Sequence, residues 1–309
     1  MIPAESRATT IFSWTVFPVV LAAGAAAGIW MIDRGVEPWQ VIPPVSLGTF
    51  LLILVLERIF PYQQSWLHST GDLRVDVGFA LVDGVFLELI RPVILAAGVV
   101  AAGWLSARAG ADLWPRGWPI VAQLALALVF AEFFKYWLHR WEHEHELLWR
   151  IHATHHSVPR LYWLNAARFH PLDIGLDTLL GAFPLAMVGC PESVMALFFV
   201  VATIHGFFQH ANLQIRCGPL NWIFSMAELH RWHHSPVAAQ ANHNYGQNLI
   251  VWDIVFGTRW LPSDREPPAE VGLENMPHFP KTLLGQLASP FRWRKVTAES
   301  TGGGLAASS

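Results

Sequence analysis

From Ile11 to Ile32 the chain runs twenty-two residues without a charged side chain. At 1.5 Å per residue, such a helix crosses a hydrocarbon core of about 30 Å. Further apolar stretches follow, so the first reads as a retained span and not a cleaved leader; it also lacks a clear cleavage site. Val41 to Leu56 is a second span, closed by Glu57 and Arg58, and Pro119 to Leu138 is another. Between them, Val75 to Ala107 is apolar but carries Asp76, Asp83, Glu88 and Arg91, with Pro92 after them. Charges at membrane depth seldom face lipid, so a long or broken helix is expected whose first half faces protein or the water interface. Ile174 to Val188, a turn at Gly189-Cys190-Pro191, and Val194 to Phe208 read as a helical hairpin that enters the membrane and returns.

Composition agrees. Only 14% of residues are charged and 53% are apolar, and sixteen are tryptophan, a residue that anchors at both membrane interfaces. The expected fold is all-α: a polytopic membrane bundle of about four spans plus a membrane-embedded hairpin, with a histidine-rich cap on the cytoplasmic side. A net charge of -3 and the lack of any dense basic stretch argue against nucleic acid as a partner. Cys190 and Cys217 read as two buried thiols, too few for a disulfide framework.

Eight of the fifteen histidines fall in three clusters: His139-Arg-Trp-Glu-His143, His152-Ala-Thr-His155-His156, and His230-Arg-Trp-His233-His234. Residues four apart in a helix project only about 40° apart, so each cluster presents its imidazoles on a single turn. Neutral imidazole is a common metal ligand. The two three-histidine turns and the two-histidine turn supply eight nitrogens, His210 a ninth, and His205 a tenth if its helix is distorted or ends before His210. Four ligands complete a structural zinc site, so this number implies two metals. His68, His145 and His278 read as solvated or structural, while His170 and His243 stand close enough to support the ligands. Every cluster lies at the end of an apolar segment, on one face of the membrane. Arg58, Arg74, Arg140, Arg150, Arg160, Arg168, Lys281, Arg292, Arg294 and Lys295 lie on that face, against Arg34, Arg108 and Arg116 on the other. The positive-inside rule makes the histidine face cytoplasmic.

Imidazole suits Zn, Cu, Fe and Ni alike. Paired Glu-x-x-His motifs, the mark of soluble di-iron carboxylate bundles, occur here only once, from Glu142 to His145. An all-histidine dinuclear centre at a membrane face suits activation of O2 against a lipid chain or ring, and zinc has no redox chemistry for that task. Trp141, Trp149, Trp163 and Trp232 interleave with the histidines and read as packing and interface anchors, with some free to line a lipid channel.

From Glu57 to Trp260 the chain resembles the fatty acid hydroxylase and sterol desaturase superfamily of membrane-bound, histidine-rich di-iron oxygenases. The resemblance is carried by Tyr136-Trp-Leu-His139-Arg-Trp-Glu-His143, Leu148-Trp-Arg-Ile-His152-Ala-Thr-His155-His156-Ser157 and Ala167-Arg-Phe-His-Pro171. It continues through His210-Ala-Asn-Leu213, Glu228-Leu-His230-Arg-Trp-His233-His234-Ser235, Asn244-Tyr-Gly246 and Trp252-Asp-Ile-Val-Phe-Gly-Thr258. It implies His139, His143, His152, His155, His156, His210, His230, His233 and His234 as metal ligands serving catalysis. The cofactors it implies are two iron ions, with zinc able to take their place, and an external NAD(P)H-linked electron donor. The partners are a lipid drawn from the bilayer and, since no haem-binding module precedes the first span, a separate electron-transfer protein. The implied reaction is hydroxylation or desaturation of a lipid C–H bond. The rival readings are a membrane di-zinc hydrolase and a histidine-rich metal transporter. The expected division is N-terminal transmembrane helices at 1–60, a fatty acid hydroxylase-like catalytic domain at 61–262, and a C-terminal cytoplasmic segment at 263–309 with a disordered tail from Glu299. Asn244-Tyr-Gly246 and Trp252-Asp253 are expected to build a turn and short helix covering the site. His205 departs from the family pattern, since four residues separate it from His210.

Overall fold

The computed structural model describes residues 7–267 and 269–300. Five segments are long and apolar enough to cross a membrane: α1 (Arg7–Asp33), Pro38–Ile59 with α2 (Ile42–Ile59) as its main part, α3 (Leu73–Ala109), α4 (Ile120–Glu144) and α7 (Glu192–His210). The shorter α5 (Glu146–His156), α6 (Pro171–Met187), α8 (Ala227–His233), α9 (Ala238–Ala241), α10 (Val251–Phe256), α11 (Leu283–Ala288) and α12 (Trp293–Ser300) complete the fold. Among the described residues there is no strand, only the isolated bridges Pro61–Leu213 and Phe224–Leu249. The expected hairpin is α6 and α7, and its second arm is itself long and apolar enough to cross a membrane. Residues 301–309 of the expected tail lie outside the described residues; Glu299 and Ser300 close α12.

Helix α7 is the axis of the bundle and packs against α1, α2 and α4. One side buries Ala196, Val200, Ile204 and Phe208 with Phe17 of α1 and Ile53 of α2. The other buries Leu197, Phe198 and Val201 with Leu124, Ala127 and Ala131 of α4. Helix α3 stays outside and packs on α6. It is unbroken through Pro92, and Leu81, Val85, Leu89 and Val93, at every fourth position, form an exposed apolar stripe. In water that stripe would forfeit about 25 cal/mol for each Å² left unburied, so it faces lipid. Asp76 and Asp83 turn inward as expected of the first half of α3, whereas Glu88 is exposed and pairs with Arg91.

Buried carboxylates tie the loops to these helices, because a buried charge must find donors. Glu57 of α2 accepts the amides of Trp163 and Asn212 at 2.9 and 2.8 Å. Asp72 takes Arg160 Nε at 2.6 Å; Asp76 takes Tyr162 Oη at 2.6 Å and pairs with Arg168 at 3.1 Å. Glu132 of α4 accepts the amides of Gln247 and Asn248. Through these four residues, the segments 157–170 and 244–250 are held against the same end of the bundle.

Candidate metal centre

Helix α4 continues past its apolar run to carry His139 and His143, so that one rigid element bears both. Helix α5 carries His152, His155 and His156; α7 ends on His210; α8 and the residue closing it carry His230, His233 and His234. All nine are brought together, as two adjacent sets. His139, His143, His152, His156 and His233 form one, and His155, His210, His230 and His234 the other; within each set one nitrogen per ring lies within 4.8 Å of all the rest.

Helix geometry explains the division. In each His-x-x-His-His turn the first and last histidines project about 40° apart, and the middle one points about 60° to the opposite side of the first. His152 and His156 therefore enter the first set and His155 the second. On α8 the split is mirrored: His230 and His234 enter the second set and His233 the first. The two turns interlock, with the rings of His156 and His234 stacked at 4.5 Å.

Six rings are oriented by an oxygen on Nδ1. His139 donates to the Tyr245 carbonyl at 2.6 Å, His233 to the His243 carbonyl at 2.8 Å and His155 to the Arg168 carbonyl at 3.2 Å. His152 donates to Asp173 at 3.0 Å, His210 to Asn165 Oδ1 at 2.9 Å and His143 to Asn242 Oδ1 at 3.1 Å. A carbonyl cannot donate, so these rings carry their proton on Nδ1 and turn the Nε2 lone pair inward. The Nε2 of His139 stands 3.1 Å from that of His152 and 2.9 Å from that of His233. Three facing lone pairs at such distances repel one another unless a cation lies among them. Protonation does not relieve this. Burial first, and neighbouring imidazoles after it, hold His152, His156, His230 and His234 well below the ordinary imidazole range, and burial leads likewise for His155 and His233. The donor set thus fits two metal ions, and soft neutral nitrogens match iron or zinc better than magnesium or calcium.

His205 is the correction. Five residues before His210 it points about 140° away around α7, and it packs between Phe17 and Phe224, with ring centroids at 5.7 and 6.0 Å. The helix does not end or distort between the two, and His205 joins neither set. His170 caps α6, accepting from the Leu172 amide and donating to the Leu287 carbonyl, while His243 offers its backbone carbonyl to His233. The expected short helix is present as α10, whereas 244–246 is irregular backbone and not a regular turn. Asn244 takes a positive φ of 58° there, and Asp253 accepts the amides of Tyr245 and Gly246 at 2.8 and 2.7 Å, which fixes the carbonyl that His139 uses.

The sequence pattern did not expose Asp173, Glu142, Asn165 or Asn242. Only Glu142 belongs to a recognisable spacing, the Glu-x-x-His match to His145, and each matters through a contact formed in three dimensions. Asp173 and Glu142 face His152 Nδ1 together, at 3.0 and 3.5 Å. Asp173→Asn keeps the volume but removes an acceptor charge from that ring. Metal affinity of the purified chain is expected to fall about 10- to 100-fold, as measured by chelator competition, with the helical circular dichroism unchanged.

From the histidine wall a cavity of about 390 Å³ extends between α3, α4, α6 and α7. Leu87, Ile174, Phe198, Phe199, Ala202 and Phe207 make much of its wall. The interleaved tryptophans do not line it. Trp149 stands beside His143 and His156, Trp163 packs on Phe50 and Trp232 on Trp260.

A sequence model described as fatty acid hydroxylase matches residues 124–258. The chain is 36% identical over 292 residues to the ornithine lipid hydroxylase OlsE of Rhizobium tropici, covering 93% of this chain and 86% of that one. It is 31% identical to an alkylglycerol monooxygenase of Xenopus tropicalis, over 68% of this chain and 45% of that one. It is 30% identical to sphinganine C4-monooxygenase 2 of Arabidopsis thaliana, over 77% and 96% respectively. No solved structure matches the chain.

Proposed function

The chain belongs to the fatty acid hydroxylase family, and on that premise we propose that it is a membrane-bound oxygenase that hydroxylates or desaturates a lipid C–H bond. One observation supports this reading above the rest: two adjacent histidine sets, with Nε2 lone pairs turned inward, close one end of an apolar cavity between membrane helices. The relatives named above are a hydroxylase and two monooxygenases, and neither a hydrolase nor a transporter is among them.

His139, His143, His152, His156 and His233 would hold one iron ion and His155, His210, His230 and His234 the other. Bound there, iron supplies the redox chemistry with O2 that an unactivated C–H bond requires and side chains lack. The protein's own contribution is placement. Backbone carbonyls and amide oxygens fix His139, His143, His155, His210 and His233, Asp173 and Glu142 hold His152, and the phenylalanine wall takes a hydrocarbon chain and keeps water out. On this reading electrons come from a separate NAD(P)H-linked carrier, and the basic residues around the histidine end support a cytoplasmic orientation of that face. Comparing the lipids of cells with and without the active gene tests the reaction: a lipid one oxygen atom heavier, or two hydrogen atoms lighter, must depend on the gene.

Gly206 of α7 lines the cavity, and a side chain at that position would meet open space. Gly206→Leu is therefore expected to fold well, gaining roughly 1 kcal/mol in helix propensity, and to keep its metal. It narrows the cavity, so long-chain turnover should fall much more than metal content, as seen by assaying both on one preparation.

A further inference from the structure

Four charged side chains border the cavity: Asp83, Arg91, Lys135 and Asp177. Three of them have a partner. Lys135 Nζ bonds Asp177 Oδ2 at 2.7 Å, and Arg91 pairs with Glu88 at 3.2 Å. Asp83 has none. It is 5% exposed, and neither of its carboxylate oxygens makes a hydrogen bond or an ion pair among the described residues, although the Phe169 amide stands beside it. Arg91 is eight residues further along α3, about 12 Å, too far to neutralise it. A buried carboxylate left without a counter-charge is costly, so its place in a cavity wall favours a cationic guest.

The position of Asp83 says where that guest would lie. Phe169 stacks on the ring of His155, with centroids at 4.1 Å and planes 12° apart, which sets Asp83 at the histidine end. Asp177 Oδ1 is also buried without a hydrogen-bond partner, and both carboxylates lie within electrostatic reach of Asp173, which holds His152. The apolar wall of Leu87, Phe198 and Phe199 leads away from this end.

We propose that Asp83, helped by the free oxygen of Asp177, forms a subsite for a primary ammonium group, so that the cavity takes lipids with an amine-bearing head group. The amine lies at the histidine end and the chain among the phenylalanines. The substrate class rests on the oxygenase reading given above; the ammonium subsite rests on the cavity alone. Arg91 stays with Glu88, and Lys135 stays with Asp177 through its other oxygen, so neither competes for the guest.

The test is titration of the full chain in non-ionic detergent micelles with dodecylamine and with 1-dodecanol, which share a chain length and differ in charge. The wild type should bind dodecylamine about tenfold tighter or more, in line with a charge-assisted contact. Asp83→Asn is nearly isosteric and should erase that preference while leaving dodecanol binding and metal content unchanged; Asp83→Glu should restore most of it. Equal affinity for both probes in the wild type, or an amine preference that survives Asp83→Asn, overturns the proposal. Failure of the oxygenase reading would show separately, as absent metal or an unchanged lipid profile, with the amine preference intact.

Discussion

His155→Ala is expected to drop bound metal from about two ions per chain to about one, and product formation to background. His155 is one of only four nitrogens in its set, so its loss leaves three, one short of a closed tetrahedral site. The other set keeps all five of its histidines, since α5 directs His152 and His156 away from His155. His233→Ala provides the contrast. It removes one of five ligands, leaves four, and should cost less metal although it also abolishes turnover. Elemental analysis of the two variants beside the wild type decides the matter. Full metal content in both, or equal losses in both, would mean that the rings are not divided as proposed.

How far this arrangement can be read from the chain itself depends on the range of the interactions. The spans were legible because an uncharged run such as Ile11 to Ile32 answers to the bilayer and needs no partner. The convergence of the histidines was legible for a related reason: the first cluster and His210 sit where apolar segments end, and spacings of three and four define a helix face. The same rule shows that His155 cannot point with His152 and His156, but not which partners it meets. His205 shows the limit from the other side. Its distance from His210 in sequence is short, yet 140° of helix rotation delivers it to Phe17 and Phe224. Asp173, Asn165 and Asp83 were hidden because their partners are remote or, for Asp83, because the telling fact is the lack of one. No periodicity encodes a contact between residues 165 and 210, or an unpaired carboxylate in a cavity wall. The tryptophans pack as their reading as anchors expects, and none of the four lines the cavity; its aromatic wall comes from Phe198, Phe199 and Phe207 of α7 and from Phe169 just before α6, which no spacing to the histidines announces.

Arg160→Leu is expected to lower unfolding stability by about 3 kcal/mol and to weaken metal binding at a site that Arg160 never touches. Its guanidinium, almost wholly buried, bonds Asp72 Oδ2 at 2.6 Å and the Trp66 carbonyl, and lies 4.0 Å over the Tyr162 ring. Leucine replaces part of the stem but strands the Asp72 carboxylate, which keeps only Ser69 Oγ and the Thr70 amide as donors. Removing one partner of a buried pair costs more than removing both, so Asp72→Leu added to Arg160→Leu should recover part of the loss. The effect on metal runs through the backbone. The Arg160 carbonyl accepts Asn165 Nδ2 at 2.5 Å, and Asn165 Oδ1 orients His210. If the loop loosens, His210 is free to turn, and chelator competition should register a 10- to 100-fold weaker second set. Asn165→Ala separates the two consequences, because it should reproduce the weaker metal binding with much less of the stability loss. Should Arg160→Leu lose stability yet bind metal as the wild type does, the 157–170 segment would be a brace for the fold with no part in aiming His210.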